Sequence, residues 1–380
     1  MVRHLLLVGG GHAHLTTLKN LNQFTKLGHR VTLISPEPYH YYSGMGPGLL
    51  SGIYHPREVR FNIEKMSQDR GARFLKGKVV RIDPSARTLL LDSGEEVRYD
   101  VASFNTGSEV VAESFVPGRT ENVFSIKPIM NLLRARHLLL EILQDKSVKS
   151  LVIGGGPGGV EVAANLCRLV SDAHGKAEMA IVAGKRLLPE YPERARNLVL
   201  RSLTSRGVEV IENNYVQTIE ADKITLRDGN TLPFDVAFVA TGISPSPLFK
   251  NSGLATGRDG GLLVSNCLQS VSSPAIFGGG DCISLQGHSL AKVGVYAVKE
   301  NPILHHNLLA ALQGGEMISF TPQKDYLLIF NMGNGKGIFC KRNWTWEGRL
   351  AFLLKDYIDR RFMRKYQVSG ELQEKNTLDE

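Results

Sequence analysis

The sequence predicts an α/β protein in which one supersecondary unit is used twice, the second copy inserted in the first, with a small α+β segment at the C-terminal end. Two observations carry this. The run "RHLLLV" at residues 3–8 is closed by "GGG", followed by a helical spacing of Leu15, Leu18 and Leu21, and then by a second apolar run, "RVTLIS"; this is strand, tight turn, helix, strand. The same order returns in "KSLVIGGGPGGVEVAANLCRLV" and "EMAIVAG", which makes internal duplication the main architectural expectation.

Each unit then continues into short strand patterns, around "DSGEEVRYD" in the first and "RDGNTLPFD" in the second, and into an apolar strand ending in "FNTGS" or "VATGIS". A third glycine signal, "SPAIFGGGDC", precedes the helix-like "KVGVYAVKENPILHHNLLAAL". Beyond Gln313 come two strand patterns, "DYLLIF" and "KGIFC", and a basic, aromatic helix from about Glu347 to Tyr366. The expected division is 1–113 with 258–320 as the first dinucleotide-binding domain and 114–257 as the second. Residues 321–366 form an interface or membrane-docking segment, and 367–380 a solvated polar tail.

A chain of 380 residues exceeds what one compact domain usually holds. Its 42% hydrophobic and 22% charged residues exclude a disordered or fibrous chain. No stretch of 18 apolar residues occurs, and the N-terminal apolar run is too short for a signal-peptide core, so the expected location is the cytoplasm. Of the formal charge of +8, five come from residues 341–366, with eight Lys or Arg against three Asp or Glu. A partner is therefore sought at that segment, and nucleic acid is not expected. Cys167, Cys267, Cys282 and Cys340 are scattered without metal-type spacing, and the adjacent His305 and His306 show none either, so no metal is expected.

The chemistry lies in the turns. Gly9 permits a tight turn, Gly11 lets backbone approach a pyrophosphate, and the helix opened by His12 and Ala13 directs its N–H groups at phosphates. His14 stands where the third glycine of G-x-G-x-x-G belongs, whereas Gly154, Gly156 and Gly159 complete the pattern in the second unit. Two such turns imply two dinucleotides, or one and a vestigial site. The acid that holds a ribose is missing twice. Ser35 occupies its place in the first unit, with Glu37 two residues late, and Ala183 in the second, where Lys185 and Arg186 follow. That absence removes repulsion against a 2′-phosphate and tilts the choice toward NADPH over NADH, and it also suits a site that has lost nicotinamide binding.

"VGGGHAH", "FNTGS", "GGGPGGVE", "VATGISP" and "IFGGGDC" together resemble the two-dinucleotide flavoproteins, in which one unit binds FAD and the inserted one binds NAD(P)H. The stretch "YHYYSGMGPGLLSG", Tyr39 to Gly52, is similar to the segment bordering the flavin in type II NADH:quinone dehydrogenases and their sulfide:quinone reductase relatives. From Gln323 onward the chain looks like a subgroup that also occurs as the N-terminal segment of selenophosphate synthetase fusions. The resemblance implies FAD contacts from Thr106, Gly107, Gly280 and Asp281, a nucleotide contact at Gly242, and Glu161 on the nicotinamide side. Where that family carries A-Q-x-A-x-Q toward the quinone, this chain has "GVYAVKE", with Val295 and Lys299; Lys292 or Lys299 would stabilise the reduced flavin.

No cysteine occurs before Cys167, so a dithiol relay is not expected, and Cys340 is the one candidate thiol for sulfur chemistry. From Trp344 to Tyr366, Trp346, Leu350, Leu353, Leu354, Tyr357, Ile358 and Phe362 recur at helical steps between Arg349, Lys355, Arg360, Arg361 and Arg364. Such a helix suits an anionic membrane surface or docking on a neighbouring domain or a second copy of the chain. The expected activity is electron transfer from NAD(P)H through FAD to a quinone-like acceptor. The alternatives are sulfide or selenide oxidation without nicotinamide, or a flavin-binding partner protein with slow turnover.

Overall fold

A computed structural model describes residues 1–110, 121–323 and 325–374; the expected boundary at 113 and tail residues 375–380 lie outside the described residues. The chain first lays down β1 (His4–Val8), β2 (Arg30–Ser35), β3 (Arg73–Lys76) and β4 (Val101–Phe104). Next come β5 (Val123–Ser125), β6 (Val148–Ile153), β7 (Ala177–Val182), β8 (Val208–Ile211) and β9 (Val236–Val239), and only then β10 (Ile276–Gly278). Hydrogen bonding sorts these into two five-stranded sheets, β10-β4-β1-β2-β3 and β5-β9-β6-β7-β8. All their pairings are parallel. The second sheet is built wholly from chain between β4 and β10, which is the predicted insertion.

Leu5, Leu6 and Leu7 are all fully buried, as a parallel sheet covered on both faces requires. The register sets Val8 beside Ile34 and Ile153 beside Val182. Each glycine turn therefore leaves the carboxyl end of a central strand, where the crevice of such a sheet opens. The two quoted turn stretches are hairpins within antiparallel three-stranded sheets, Val79–Asp83 to Glu96–Arg98 and Val216–Ile219 to Thr231–Pro233. Gly94 and Gly229 take positive φ at their tips.

The second turn feeds α1 (Pro157–Asp172), and the last glycine signal leads to α2 (Gly294–Gln313). After the first turn the helix is broken, with a 3-10 turn at His12–His14 and short helices Leu15–Lys19 and Leu21–Thr25. The C-terminal segment holds an antiparallel sheet of β11 (Leu328–Asn331), β12 (Gly337–Lys341) and β13 (Trp344–Gly348), then α3 (Arg349–Tyr366).

Two expectations are corrected here. Trp344 and Trp346 lie on β13, not on the helix; Trp346 stacks on Phe339 at 5.2 Å, and Gly348, at φ 152°, makes the break before α3. The tail is only partly solvated as far as residue 374. Glu371 is 1% exposed, and Glu374 bonds the buried Arg60 at 2.8 Å and Asn62 at 2.6 Å. A polar composition concealed carboxylates that serve as specific acceptors. The C-terminal segment bridges both halves, since Phe330 and Ile338 pack with the second sheet's core while Met363 and Tyr366 join the first.

Candidate active site

Both glycine turns open on one cavity of about 1590 Å³. From the first unit it is lined by Gly9, Gly11, His12, Ser35, Thr106 and Gly107, and from the second by Gly154, Gly156, Glu161 and Gly242. Gly280, Asp281 and Lys292 complete the predicted residues on its wall. The sequence thus brings together most of its candidates, although they span nearly 300 positions.

The glycines have different reasons. A Cβ at Gly9 would lie 2.4 Å from the Asn105 carbonyl oxygen and one at Gly11 only 2.0 Å from Asn105 Oδ1, so protein already excludes side chains there. At Gly156, Gly107 and Gly242 a Cβ would meet no atom of the described residues within 4 Å beyond its own chain neighbours and local helix backbone, which leaves that space to a ligand. Gly159 lies behind the turn, where a Cβ would meet the Gly154 carbonyl at 1.9 Å. The missing third glycine of the first unit is explained by His14, whose fully buried ring uses that kind of carbonyl as a partner. Its Nδ1–H donates to Gly9 O at 2.7 Å, which makes Nε2 the acceptor of the Ser103 hydroxyl at 2.8 Å.

Asn105, missed by sequence reasoning, ties two turns together. Its Oδ1 accepts the Ala13 N–H at 3.1 Å and its amide donates to Gly279 O at 2.5 Å. Ala13 is therefore a packing residue off the cavity wall, with its N–H already spent. Asp281 Oδ2 accepts from Lys127 at 2.7 Å and from Ser108 at 2.9 Å. Beneath Gly280, the buried Glu300 accepts its N–H at 2.5 Å; burial pushes this carboxyl up to about 7, the Gly280 N–H working against it.

Several candidates lie elsewhere. Lys299 is exposed and faces a separate small depression with Tyr296 and Gln323; it lies within α2, whereas Lys292 precedes the helix, so no helical spacing relates the two side chains. Lys292 keeps its place on the wall, paired with Asp259 at 2.7 Å. Arg186 is held by Glu193, Lys185 is exposed, and neither lines the cavity; Ala183, Gly184 and Tyr215 do. The Ser35 hydroxyl is spent on the Glu37 carbonyl at 3.0 Å, although both residues line the cavity. Cys340 is 6% exposed within the second core, and none of the four cysteines lines the cavity.

The least expected group comes from α3. Its Lys355 turns inward and donates to the Gly44 carbonyl and to Asp359 Oδ2, both at 2.8 Å. Tyr42 donates to Asp359 Oδ1 at 3.0 Å. Glu161 Oε1 accepts the Asn331 N–H at 2.7 Å. Burial raises the Glu161 pKa, with Lys355 and the Asn331 N–H opposing. For Lys355 burial works downward, but Asp359 and Glu161 outweigh it and hold the ammonium above its usual value. Two carboxyls thus share one buried cation behind the cavity wall. The opposite side of α3 exposes Leu350 (73%), Leu353 (58%), Tyr357 (56%), Ile358 and Leu354, while Phe362 faces inward.

Residues 3–307 match the family described as Pyridine nucleotide-disulphide oxidoreductase. The chain is 23% identical over 343 residues to external alternative NAD(P)H-ubiquinone oxidoreductase B3, mitochondrial, of Arabidopsis thaliana, covering 79% of this chain and 58% of that protein. It therefore spans little more than half the length of that relative. It is 23% identical over 399 residues to the sulfide-quinone reductase of Aquifex aeolicus (strain VF5), covering 96% and 91% of the two chains. The fold is shared with NDH2 from Plasmodium falciparum, solved in complex with NADH, at a TM-score of 0.81 over 98% of each chain with 16% identity. With that span matched and both glycine turns facing one cavity, the chain belongs to the pyridine nucleotide-disulphide oxidoreductase family.

Proposed function

We propose that this protein is an FAD-dependent oxidoreductase that passes electrons from NAD(P)H to a quinone-class acceptor while docked by α3 on a membrane surface. The observation that carries the reading is the Glu161–Lys355–Asp359–Tyr42 group. Glu161 lines the cavity shared by the two turns, and Lys355 and Asp359 stand behind it on a helix whose other side is exposed and apolar. The names of the relatives point the same way, toward NAD(P)H, ubiquinone and quinone.

The residues present suit the two dinucleotides. Gly9, Gly11, Gly107, Gly280 and Asp281 would hold FAD, with Glu37 in place of Ser35 as the ribose partner. Gly154, Gly156 and Gly242 would hold the nicotinamide nucleotide, beside a Tyr215 ring that carries Arg227 at 4.6 Å. Bound flavin supplies hydride acceptance from the nicotinamide and two-electron delivery to the acceptor. The chain supplies the rest. The amino end of α2, Val293 and Gly294 on the cavity wall, favours negative charge there, and Lys292 adds its cation. Glu161 orients the nicotinamide side. Reducing a quinone to a quinol also takes up two protons, and Lys355, behind this wall, supplies one of them and is refilled through Asp359, which accepts from Tyr42.

Of Lys185 and Arg186, the second is tied to Glu193 and the first, exposed, remains for a 2′-phosphate, so NADPH is favoured over NADH only modestly. A cysteine relay for sulfide has no thiol on the cavity wall. Anaerobic spectra test the whole reading: the yellow protein bleaches with NADPH or NADH and recovers its colour on adding a soluble quinone. Flavin that neither nucleotide reduces overturns the donor, and colour that no quinone restores overturns the acceptor.

A further inference from the structure

His12 has a buried nitrogen with nothing to bond. The residue is 9% exposed and lines the cavity directly after Gly11, yet its Nε2 has no hydrogen-bond partner among the described residues. Every other side of the ring is occupied. Nδ1 lies 3.4 Å from His40 Nε2, Phe362 stacks on the ring at 5.9 Å, and Tyr42 packs at 5.2 Å. An unsatisfied nitrogen in such a site is a standing cost that a bound ligand removes. Burial, then the nearby Lys127, push the His12 pKa down to about 4, and burial with His12 lowers His40 as well, so the two rings are neutral and share one proton at their junction.

Only two arrangements satisfy that junction. Either His40 Nε2–H donates to His12 Nδ1 and His12 carries Nε2–H, or the reverse, in which case His12 Nε2 is an acceptor. The cations near the turn do not supply a donor, since Lys127 is committed to Asp281 and Ser108. The groups of a dinucleotide that a glycine turn receives are phosphate oxygens, which only accept.

We propose that His12 and His40 form a tautomer-locked donor to the flavin cofactor, in which His40 fixes the proton on His12 Nε2 and that N–H binds an oxygen of the cofactor's pyrophosphate. This rests on the FAD reading above and assigns to it a residue that a bare glycine fingerprint does not contain. Phe362 and Tyr42 hold the ring in plane, which ties cofactor binding to α3.

The test uses FAD-free protein prepared from the full chain, reconstituted with FAD, together with histidine ¹⁵N spectra. His12 Nε2 is expected to be protonated in the wild type, and its N–H signal to move when FAD is added but not when NADP⁺ is added alone. His12→Phe is expected to weaken FAD binding about tenfold or more, and His40→Phe about threefold, with His12 then mixing both tautomers. Melting of each FAD-free variant reports folding, and the wild-type spectra stand without any variant. An unprotonated Nε2, or unchanged FAD affinity in folded His12→Phe, overturns the pair's role and leaves the FAD reading intact. Wild-type protein that binds no FAD overturns both.

Discussion

Lys355 and Glu300 are two buried ionisable groups with opposite functional meaning. Lys355 is held charged by Asp359 and Glu161, so on the proposed function replacing it with methionine removes the proton donor of the acceptor step, while Glu161 keeps its bond from the Asn331 N–H. In Lys355→Met, flavin reoxidation by a soluble quinone should slow about 10²-fold, while reduction by NADPH stays within about threefold; stopped-flow traces of the two half-reactions separate them. Equal slowing of both would show that the lysine is structural. Glu300 has its pKa raised from 4.5 to about 7, so the folded state binds the proton more tightly than the unfolded one. Its contribution is fully present below about pH 4.5 and is lost as pH rises through 7. Glu300→Gln still accepts the Gly280 N–H, so it should match the parent near pH 4.5 and exceed it by about 3 kcal/mol at most near pH 8. Melting curves across that range check the sign, and a difference that does not vary with pH would rule it out. The glycine pattern made Gly9, Gly11 and Gly154 readable in sequence because φ or close approach leaves no choice there, whereas Gly156 was readable from the pattern alone. Asn105 and Lys355 were unreadable, since the groups that position them, Ala13 and Gly279 for the first and Gly44 for the second, lie 92 or more positions away.

Among the elements, α3 was read correctly as amphipathic and incorrectly as to what its charges do. Spacing gives two faces; it does not say which one turns inward when both carry apolar and charged residues. Here the inner face carries Lys355, Asp359 and Phe362, and the outer one Leu350, Leu353 and Tyr357. So large a contiguous exposed apolar face marks an interaction surface, and its arginines suit anionic lipid. Leu350→Glu with Leu353→Glu should abolish sedimentation with vesicles of anionic phospholipid while FAD content and soluble-quinone turnover persist. Undiminished sedimentation would remove the membrane part of the proposal. The strand β13 escaped sequence reasoning because its two tryptophans fit the helical spacing by chance, and only Gly348 marks the boundary.

At the scale of the molecule, duplication was the most legible feature, because each repeat carries its own strand, turn and hairpin signals at matching positions. The C-terminal strap was the least legible. Residues 367–374 look solvated in composition, yet Glu371 and Glu374 bond the chain at Asn62 and Arg60. Deleting residues 368–380 removes the Glu374 pair to Arg60 and the Glu371 bond to the Asn62 N–H together with the packing of the strap. The deletion should lower the melting temperature by several degrees, and an unchanged melt would show that the strap contributes nothing. The two-faced helix has one more consequence. It is a single rigid rod of 18 residues, about 27 Å long, and each residue turns it by about 100°. Docking face and proton face are therefore locked in phase. One residue inserted after Leu354 would rotate Lys355 away from Gly44 and swing Tyr357 and Ile358 off the face of Leu350 and Leu353, whereas a seven-residue insertion would restore the angle but not the position. On the proposed function, the chain cannot drift toward a new surface partner by slipping this helix without moving Lys355 away from Gly44 at the same step.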